Sequence, residues 1–566
     1  MMTLQQEPKA GSGQKLTAML DEAGPCLVRP FDVVVIHPGS RNLRIGLASA
    51  TTPRTLPQCV ARRRRTTSSE PRTNARSSCY QYMPVVLPNA EEAVVTTATI
   101  DEKASQLSVL LSNCLTSKGV QRFAVEQSKP IEVQPIVSIQ MGDDDNYVDP
   151  DKYVEKVFGD DALRLRPDSG FDLMWPMRRG RLNLHKGVGG SLSAVLHDLK
   201  DIWEWAIREH LGVDPTGKNA ILIVSDVYVA EHVKRMVDVL FVELGFQKLF
   251  VHVESVCAAF GAGMASACVV DVGDQKTLVT CVDDGISLKQ TRLLMEFGGA
   301  DITQLMHYLF KDKMGWDDCR PETVYDARLL ERIKESFCHL NLDHCGPVEG
   351  RFRHSPPGEA SRDFALSVKD EAMIAVLGAF SPEMLALTGP KRSHLHAPQV
   401  CDPQDPHDDL YILQTQRKRG DAEFDEGDDD DGLPTELKDP VRLETIPIPQ
   451  VLGVDVAVLQ SVDRCESDDV KRKLLSQLLL VGGGLAHFRG VATWLRNRLA
   501  VQMPKVLRGE PIDIITRAKD FPPDSCVWRG ASLMCQLDTC QELWISAAEW
   551  RRNGSKVLRE RAVFGW

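Results

Sequence analysis

The chain has 566 residues, of which 43% are hydrophobic, and a formal net charge of −12 at pH 7. This length and apolar content predict a large buried core and more than one domain. The negative balance excludes a protein that coats nucleic acid with its whole surface. The sequence has no run of about 18 apolar residues, and its first residues lack the apolar stretch of a signal peptide. We therefore expect an intracellular protein with no membrane association.

The N-terminal part combines one clear strand with long irregular stretches. Residues 1 to 30 are polar and interrupted by Gly and Pro, which is typical of a disordered tail, and order is expected to begin at FDVVVIH. From about residue 50 to 170 the irregular pattern predicts a large insertion. Within it, residues 54 to 76 hold seven Arg and one Glu. This run favours a solvated, disordered segment, and it also fits a nuclear address or a DNA-contacting patch.

A regular α/β pattern follows WPMRRGRLN, residues 175 to 183. Ser191 is a candidate N-cap for a helix whose apolar residues recur at helical spacing. AILIVSDVYV then predicts a buried strand, EHVKRMVDVLFVELG an amphipathic helix and KLFVHV a second strand, which together indicate a βαβ unit with a parallel strand pair. CVVDVGD and TLVTCVDDG come next and predict a hairpin.

A second α/β unit comes late in the chain. DDVKRKLLSQ predicts a helix, LLLVGGG a strand and GVATWLRNRLA another helix. Between the two units, residues from about 345 to 460 are rich in Pro, His and Asp and predict another long insertion. It includes an acidic run at 421 to 431, with eight acids in eleven residues. That run favours a solvated loop and also fits contact with a basic partner such as a histone.

Three glycine-rich turns at the ends of predicted strands indicate a nucleotide site. They lie in VVIHPGSRNLRIGLA (34 to 48), in VVDVGDQKT (269 to 277) and at Gly482 to Gly484. Backbone N–H groups in such turns bind phosphate, and glycine lets the backbone approach a ligand closely. The first two turns are about 235 residues apart, which predicts a duplicated fold with a cleft between its halves.

These motifs resemble those of the actin family. The three turns are similar to the first phosphate loop, the second phosphate loop and the adenosine loop of actins, and WPMRRG, ESVCAAFGAG, VWRGASL and ELWIS resemble further actin segments. HPGSRNLRIG, DPQDPHDD and RERAVFGW look like the nuclear actin-related proteins of chromatin remodellers of the Ino-eighty class. The resemblance implies an α/β, actin-like (ribonuclease-H-like, duplicated) fold, in which two lobes of two subdomains each surround a nucleotide cleft.

The resemblance also implies domain boundaries. The tail at 1–30 precedes a first lobe at 31–262, which carries the insertion at about 50–170. A second lobe covers 263–525 and carries the insertion at about 345–460. Residues 526–566 return to the first lobe.

Carried over by position, the resemblance implies a site for ATP or ADP, with Mg²⁺ as an accompanying ion. Asp271 would hold the Mg²⁺ through water, and Glu254 stands at the position that orients the attacking water in actins. The residues expected to contact the nucleotide are Gly39, Ser40, Arg41, Asn42, Leu43, Asp271, Val272, Gly273, Asp274, Gln275, Gly482, Gly483, Gly484 and Gly530. The last four of these would lie at the adenosine end.

Several positions depart from the actin pattern. His37 replaces an Asp that helps to hold the metal, and an imidazole cannot supply that charge. Arg41 replaces a Gly and is expected to contact phosphate as a fixed cation. Glu254 replaces a Gln and is a candidate general base, but with the metal site weakened we expect nucleotide binding to outlast catalysis. Asp524 and Ser525 replace a Lys and a Tyr, which loosens the expected base contacts. An empty cleft, with His37 only capping a strand, is the alternative.

The resemblance implies a nuclear, non-polymerising subunit of a remodelling complex that binds ATP structurally and acts in transcription regulation, DNA repair and DNA recombination. Its expected partners are the other subunits, including actin and other actin-related proteins, together with histones and nucleosomes, and DNA through the basic segments. The long insertions are expected to prevent filament formation. One alternative is a slow ATPase of the actin, sugar-kinase and chaperone group, which would rely on Glu254 and Asp271. Another is a histone chaperone that acts through residues 421 to 431.

Overall fold

The computed structural model describes residues 28–64, 90–122, 138–140, 147–166, 169–317, 319–321, 323–355, 361–396, 445–448, 450–518 and 521–562. The acidic run at 421 to 431, residues 65–76 of the Arg-rich run and DPQDPHDD lie outside the described residues, as do residues 1–27 of the predicted tail. The last residues of that tail are ordered: Val28 is buried in the core, and its backbone N–H donates to Gln541 Oε1 at 3.2 Å. Order therefore begins slightly before the first predicted strand.

Strands occur along most of the described chain. They are β1 Val33–Pro38, β2 Asn42–Leu47, β3 Arg54–Pro57, β4 Val60–Arg63, β5 Ser138–Gln140, β6 Lys156–Phe158, β7 Phe171–Met174, β8 Met177–Arg178, β9 Arg181–Leu182, β10 Asn219–Val224, β11 Lys248–Val253, β12 Ala267–Val272, β13 Thr277–Asp283, β14 Ile286–Ser287, β15 Leu293–Met295, β16 Val348–His354, β17 Ser361–Val368, β18 Ser393–His396, β19 Thr445–Ile448, β20 Leu478–Val481, β21 Ile514–Ile515 and β22 Ile545–Ser546.

Helices connect and cover these strands. They are α1 Ala90–Asn113, α2 Gly159–Leu163, α3 Leu192–Trp205, α4 Ala230–Asp238, α5 Glu254–Ala262, α6 Gly299–Met314, α7 Val324–Phe337, α8 Glu371–Leu377, α9 Val454–Asp463, α10 Asp468–Leu475, α11 Val491–Gln502, α12 Cys526–Met534, α13 Ala547–Asn553 and α14 Lys556–Arg561. Two π-helical turns, Ala206–His210 and Val239–Glu243, extend α3 and α4.

Two large sheets repeat one strand arrangement. In the first sheet, β3, β2 and β1 form an antiparallel meander, and β10 and β11 continue it in parallel from β1. In the second sheet, β15, β13 and β12 form the meander, and β20 and β21 continue it in parallel from β12. The tight β1–β2 and β12–β13 turns therefore occupy equivalent positions, as the predicted duplication requires.

Local sequence explains where the elements of the α/β units begin and end. The hydroxyl of Ser191 accepts a hydrogen bond from the Ala194 N–H at 3.3 Å and caps α3, which confirms the predicted N-cap. Helix α5 ends at Gly263, whose φ of 71° terminates it in the left-handed conformation. All six residues of β1 and all six of β12 are buried, as expected for strands covered by helices on both faces.

Each large sheet has its own hydrophobic core, and the C-terminal part of the chain completes the first. Strand β22 pairs with the edge of β11, and α12 packs against α5. The two helices approach closely because Gly261 faces Cys526 and Gly530 faces the Cys257 carbonyl. The first core therefore joins residues from the two ends of the chain.

The first insertion packs on the second lobe, a placement that the sequence did not suggest. We call residues 90–122 and 138–140 the crossing segment. Ile100 and Leu111 of α1 are buried in the second core, and the Tyr308 hydroxyl donates to Asp101 at 2.9 Å. Strand β5 then adds to the edge of β17, after which β6 rejoins β4 beside the first sheet. The chain therefore crosses from the first lobe to the second and back.

The Arg-rich run is ordered at its start, so the expectation of a solvated, disordered segment is wrong for residues 54 to 64. Arg62 lies in β4 and forms ion pairs with Asp198 and with Asp201, the latter at 3.2 Å. The next two arginines are also bound, Arg63 to the backbone carbonyl of Val154 and Arg64 to Asp172. The pattern was misleading because the carboxylates that neutralise this run lie more than a hundred residues away.

Among the described residues, no single helix is long and apolar enough to cross a membrane. One bent pair, Glu371–Leu377 with Pro382–Thr388, has the length and composition when both parts are taken together, but turns by 91° between them.

Candidate nucleotide-binding cleft

The first glycine turn joins β1 to β2 and is held by its own backbone. The Gly39 N–H donates to the Asn42 carbonyl at 3.0 Å, and a Cβ at Gly39 would lie only 2.7 Å from that oxygen. The Ser40 hydroxyl accepts a hydrogen bond from the Gly180 N–H at 2.8 Å. The turn is therefore a fixed element, and only glycine fits at its start.

The second turn joins β12 to β13 and packs against the start of α6. The Gly273 N–H donates to the Lys276 carbonyl at 2.9 Å, while the Gly273 and Asp274 carbonyls accept from the N–H groups of Gly299 and Ala300. The Gln275 side chain accepts from the Arg179 N–H at 3.3 Å, which links this loop to the first lobe.

The third turn, Gly482 to Gly484, follows β20 and lies against the second. The Gly484 N–H donates to the Val272 carbonyl at 2.8 Å, and Gly482 has a φ of 87°. A Cβ at either glycine would collide with the backbone of residues 272 and 273. These glycines allow two strand ends to meet without a side chain between them.

The three turns border one cavity of about 950 Å³ between the lobes. Its walls carry eight Lys and Arg side chains against seven Asp and Glu, whereas the whole chain has a net charge of −12. The cavity is therefore less negative than the rest of the protein. The predicted residues that line it are Gly39, Ser40, Arg41, Asn42, Glu254, Asp271, Gly273, Asp274, Gln275, Gly482, Gly483 and Gly484.

Three predicted contact residues do not line the cavity. The side chains of Leu43 and Val272 belong to the first and second hydrophobic cores, because strand alternation turns them away from the cleft. Gly530 was expected at the adenosine end, but it lies within α12 against the Cys257 carbonyl. Its role in this structure is to let two helices pack, which is a correction to the expected nucleotide contact.

His37 takes part in a buried cluster with Glu254 and Lys276. The Nε2 atom of His37 lies 3.2 Å from Glu254 Oε1, and the Lys276 ammonium donates to Glu254 Oε2 at 2.5 Å and to the Ser225 hydroxyl at 2.8 Å. Burial lowers the pKa of His37 despite the neighbouring carboxylate. A neutral ring then donates its Nε2–H to Glu254, so both carboxylate oxygens are engaged.

The pKa values around Glu254 reflect this pairing. Burial alone would raise the pKa of Glu254, but the Lys276 charge and the His37 hydrogen bond lower it to about 2. Burial, followed by the negative charge of Glu254, raises the pKa of Asp271 to about 7. Glu254 is therefore a charged, doubly paired group, while Asp271 readily takes up a proton near neutral pH.

Arg41 lines the cavity, as predicted, and also forms ion pairs across the cleft. Its Nη1 donates to Asp274 Oδ1 at 3.1 Å and pairs with Glu331 of α7. Both carboxylates belong to the second lobe, so Arg41 links the lobes across the cleft. This link was not predicted, because Glu331 lies 290 positions along the chain and gives no local signal. The phosphate contact of Arg41 stays a prediction.

Other charged residues of the cavity were not found from the sequence. Lys276 follows the second turn within DVGDQKT, yet its significance depends on contacts with Glu254 and Ser225. Arg44 of β2 pairs with Asp524 at 3.3 Å, and its Nε has no hydrogen-bond partner among the described residues. The Arg44 side chain lines the cavity, and its fixed positive charge there favours an anionic ligand. The period-2 pattern of β2, which turns Arg44 opposite to Leu43 and Ile45, was the available signal.

The residues beside His37 offer a hydrated Mg²⁺ the smallest number of carboxylates that such a site uses. Protein sites bind Mg²⁺ through one or two carboxylates together with substrate phosphates. Here His37 supplies no charge, Glu254 is neutralised by Lys276, and Asp271 is the one carboxylate left in the cluster. Among the residues that the structure describes, no group of three His, Cys, Asp or Glu side chains is arranged to hold a metal ion.

Comparisons with known proteins agree with this fold. The family model "Actin" matches residues 28–563. Actin-related protein 8 of Aedes aegypti is 37% identical over 567 residues, covering 94% of this chain and 98% of that protein. Actin-related protein 8 of Danio rerio is 35% identical over 590 residues, covering 94% and 92%.

A solved structure, "Human actin-related protein Arp8 in its ATP-bound state", is similar throughout, with a TM-score of 0.76 and 30% sequence identity, covering 99% of this chain and 100% of that chain. The predicted actin-like fold is thereby confirmed. The chain belongs to the actin family.

Proposed function

We propose that the cleft binds ATP or ADP. The main support is the convergence of three glycine turns on one cavity, where glycine is required by close backbone contacts rather than by turn chemistry alone. Arg44, which lines the cavity, supplies a cation for phosphate. The human protein of similar fold is named for its ATP-bound state. An empty cleft, in which water covers the polar walls, is the alternative that the binding experiment below tests.

We further propose that bound ATP is turned over slowly or not at all. A general base needs an oxygen that can reach the attacking water. Both oxygens of Glu254 are engaged, and the side chain is 4% exposed. With its pKa lowered, Glu254 is also a weak base. The slow-ATPase alternative therefore loses its best support.

The cellular role that fits this assignment is that of a non-polymerising actin-related subunit of a nuclear chromatin remodeller of the Ino-eighty class. Identities of 33–37% to proteins named actin-related protein 8 support it. Contacts with histones and with actin or other actin-related subunits, and roles in transcription regulation, DNA repair and DNA recombination, are part of the proposal. The crossing segment enlarges the second lobe and offers surface for such partners.

DNA contact through the Arg-rich run is proposed for residues 65 to 76, because Arg62 and Arg64 are already paired with carboxylates. The affinity for a DNA duplex should fall linearly on a log-log plot against salt, with a slope of a few units. Neutralising Arg65, Arg72 and Arg76 together should flatten that slope. A slope that does not change would assign DNA contact to another surface.

A single-turnover assay tests the nucleotide proposal. The purified chain is mixed with labelled ATP, and bound nucleotide and released phosphate are recorded together, with Glu254→Ala alongside. Bound ATP with little release supports a structural nucleotide. Steady phosphate release that disappears in Glu254→Ala would instead establish that the protein is an ATPase. The absence of bound nucleotide would reject the proposal.

A further inference from the structure

A fixed cation already stands at the phosphate end of the cleft. Lys276 directly follows the second turn and lines the cavity. Its ammonium donates hydrogen bonds to Ser225 and Glu254. Two of its three N–H bonds are used in these contacts, and among the described residues no third hydrogen bond is recorded. The ammonium therefore retains one N–H for a ligand in the cavity that the residue lines.

The stem of Lys276 is held in place by the first lobe. Gly180 has a φ of 74°, and a Cβ there would lie 2.7 Å from Lys276 Cδ and 3.1 Å from Nζ. The Lys276 side chain occupies the space that a side chain at position 180 would fill. This fixes the ammonium between the lobes and lowers the entropy that it would lose on binding a ligand.

The other wall of the cavity carries a second cation. Arg44 belongs to the first lobe, lines the cavity and pairs with Asp524 at 3.3 Å. A divalent ion entering the cluster would meet the Lys276 ammonium and would find Glu254 already neutralised. Ammonium and guanidinium groups, by contrast, bind phosphate oxygens directly and need no metal.

We propose that Lys276, assisted by Arg44, takes the place of the divalent cation, so that this chain binds a nucleoside polyphosphate independently of Mg²⁺. The inference rests on the proposed nucleotide function and deepens it. It reassigns charge neutralisation at the phosphates from a bound metal to side chains of the protein itself.

The test is equilibrium binding of ATP to the full chain, first freed of nucleotide, by calorimetry in buffer with 2 mM Mg²⁺ and in buffer with EDTA. We expect the two dissociation constants to agree within about threefold. Since a charge-assisted hydrogen bond contributes about 10- to 100-fold in affinity, Lys276→Met should weaken binding in EDTA by that factor, and Mg²⁺ should restore part of the loss. Lys186→Met, which removes an exposed lysine, is the matched control and should behave as the wild type.

The wild-type comparison keeps the proposal testable even if Lys276→Met does not fold, and Lys276→Arg, which retains the charge, should keep binding in EDTA. Binding by the wild type only when Mg²⁺ is present would overturn the inference and leave the nucleotide function intact. Equal affinities of the wild type and Lys276→Met in EDTA would also overturn it. Binding in neither buffer would reject the inference and the nucleotide function together.

Discussion

At the scale of single residues, we expect His37 to influence which ion the cleft accepts. It lies 3.2 Å from Glu254 and contributes no negative charge to the cluster. His37→Asp would place a new carboxylate beside Glu254 and Asp271, and like charges at such distances destabilise a buried site. We expect a lower melting temperature in EDTA and a rise of several degrees when Mg²⁺ is added, because the ion would neutralise the added charge.

Differential scanning fluorimetry with ATP present measures this effect. The wild type and His37→Asn, which is uncharged, should show no such Mg²⁺ response. A Mg²⁺-dependent rise in His37→Asn as large as in His37→Asp would mean that the added carboxylate is not what binds the ion.

A second residue-scale prediction concerns acid stability. Burial lowers the pKa of His232 to about 4, and neither ring nitrogen has a hydrogen-bond partner among the described residues. Because the folded pKa lies below the unfolded value of 6.5, the stabilisation is full above pH 6.5 and is lost as the pH falls toward 4. Between pH 7 and pH 5 the loss should be about 2 kcal/mol for this residue.

Urea unfolding at the two pH values, in the wild type and in His232→Gln, measures that loss. The variant should lose about 2 kcal/mol less than the wild type on acidification. His197→Gln serves as the control, because that ring is exposed on α3. An identical pH dependence in the wild type and His232→Gln would show that His232 has the same pKa in the folded and the unfolded protein.

At the scale of secondary-structure elements, Gly530 and Gly483 have different roles: Gly530 allows two helices to pack, and Gly483 lines the cavity. Gly530→Ala would drive a Cβ into the Cys257 carbonyl between α5 and α12, and overpacking of this kind costs typically about 1–3 kcal/mol. At Gly483 the nearest atom to a new Cβ is Asp524 Cβ at 3.9 Å, but the residue lines the cavity. We expect Gly530→Ala to lower the melting temperature and to leave the nucleotide affinity nearly unchanged. We expect Gly483→Ala to weaken nucleotide binding and to leave the melting temperature nearly unchanged.

Thermal unfolding and ATP titration of both variants check this pair. Loss of affinity in Gly530→Ala without loss of stability would restore the original assignment of that glycine to the adenosine end of the cleft.

The elements that the sequence predicts well are those whose signals are local. The Ser191 cap, the hairpin of β12 and β13 and the parallel pair of β10 and β11 follow from capping, alternation and turn residues within a few positions. Helix α1 was missed because its apolar residues are interspersed with Thr and Ser, and its core contacts, Ile100 and Leu111, are few. The ion pairs of Lys276 and Arg41 were missed because their partners are distant in the chain.

At the scale of the whole molecule, the crossing segment ties the lobes together. Arg122 anchors it: the side chain is 2% exposed, donates to Asp370 Oδ1 at 2.8 Å and to the His344 carbonyl at 3.2 Å. Arg122→Met would leave Asp370 unpaired and weaken the docking of α1 on the second lobe. We expect faster hydrogen exchange in residues 90–113 and faster release of bound nucleotide, since lobe opening then meets less resistance.

Hydrogen–deuterium exchange and a nucleotide chase experiment measure the two effects. Lys118→Met, an exposed position in the same segment, should leave both rates unchanged. Faster exchange in α1 with an unchanged release rate would separate the segment from control of the cleft.

The pairing of β22 with β11 also affects how the chain folds during synthesis. The edge of the first sheet remains open until roughly 290 further residues have been made, which takes about 15–60 s at a translation rate of 5–20 residues per second. Over that interval the outer edge of β11 has unpaired backbone N–H and C=O groups. Strand β5 is likewise unpaired until β17 has been synthesised. We therefore expect the nascent chain to depend on chaperones until β22 has left the ribosome and paired with β11.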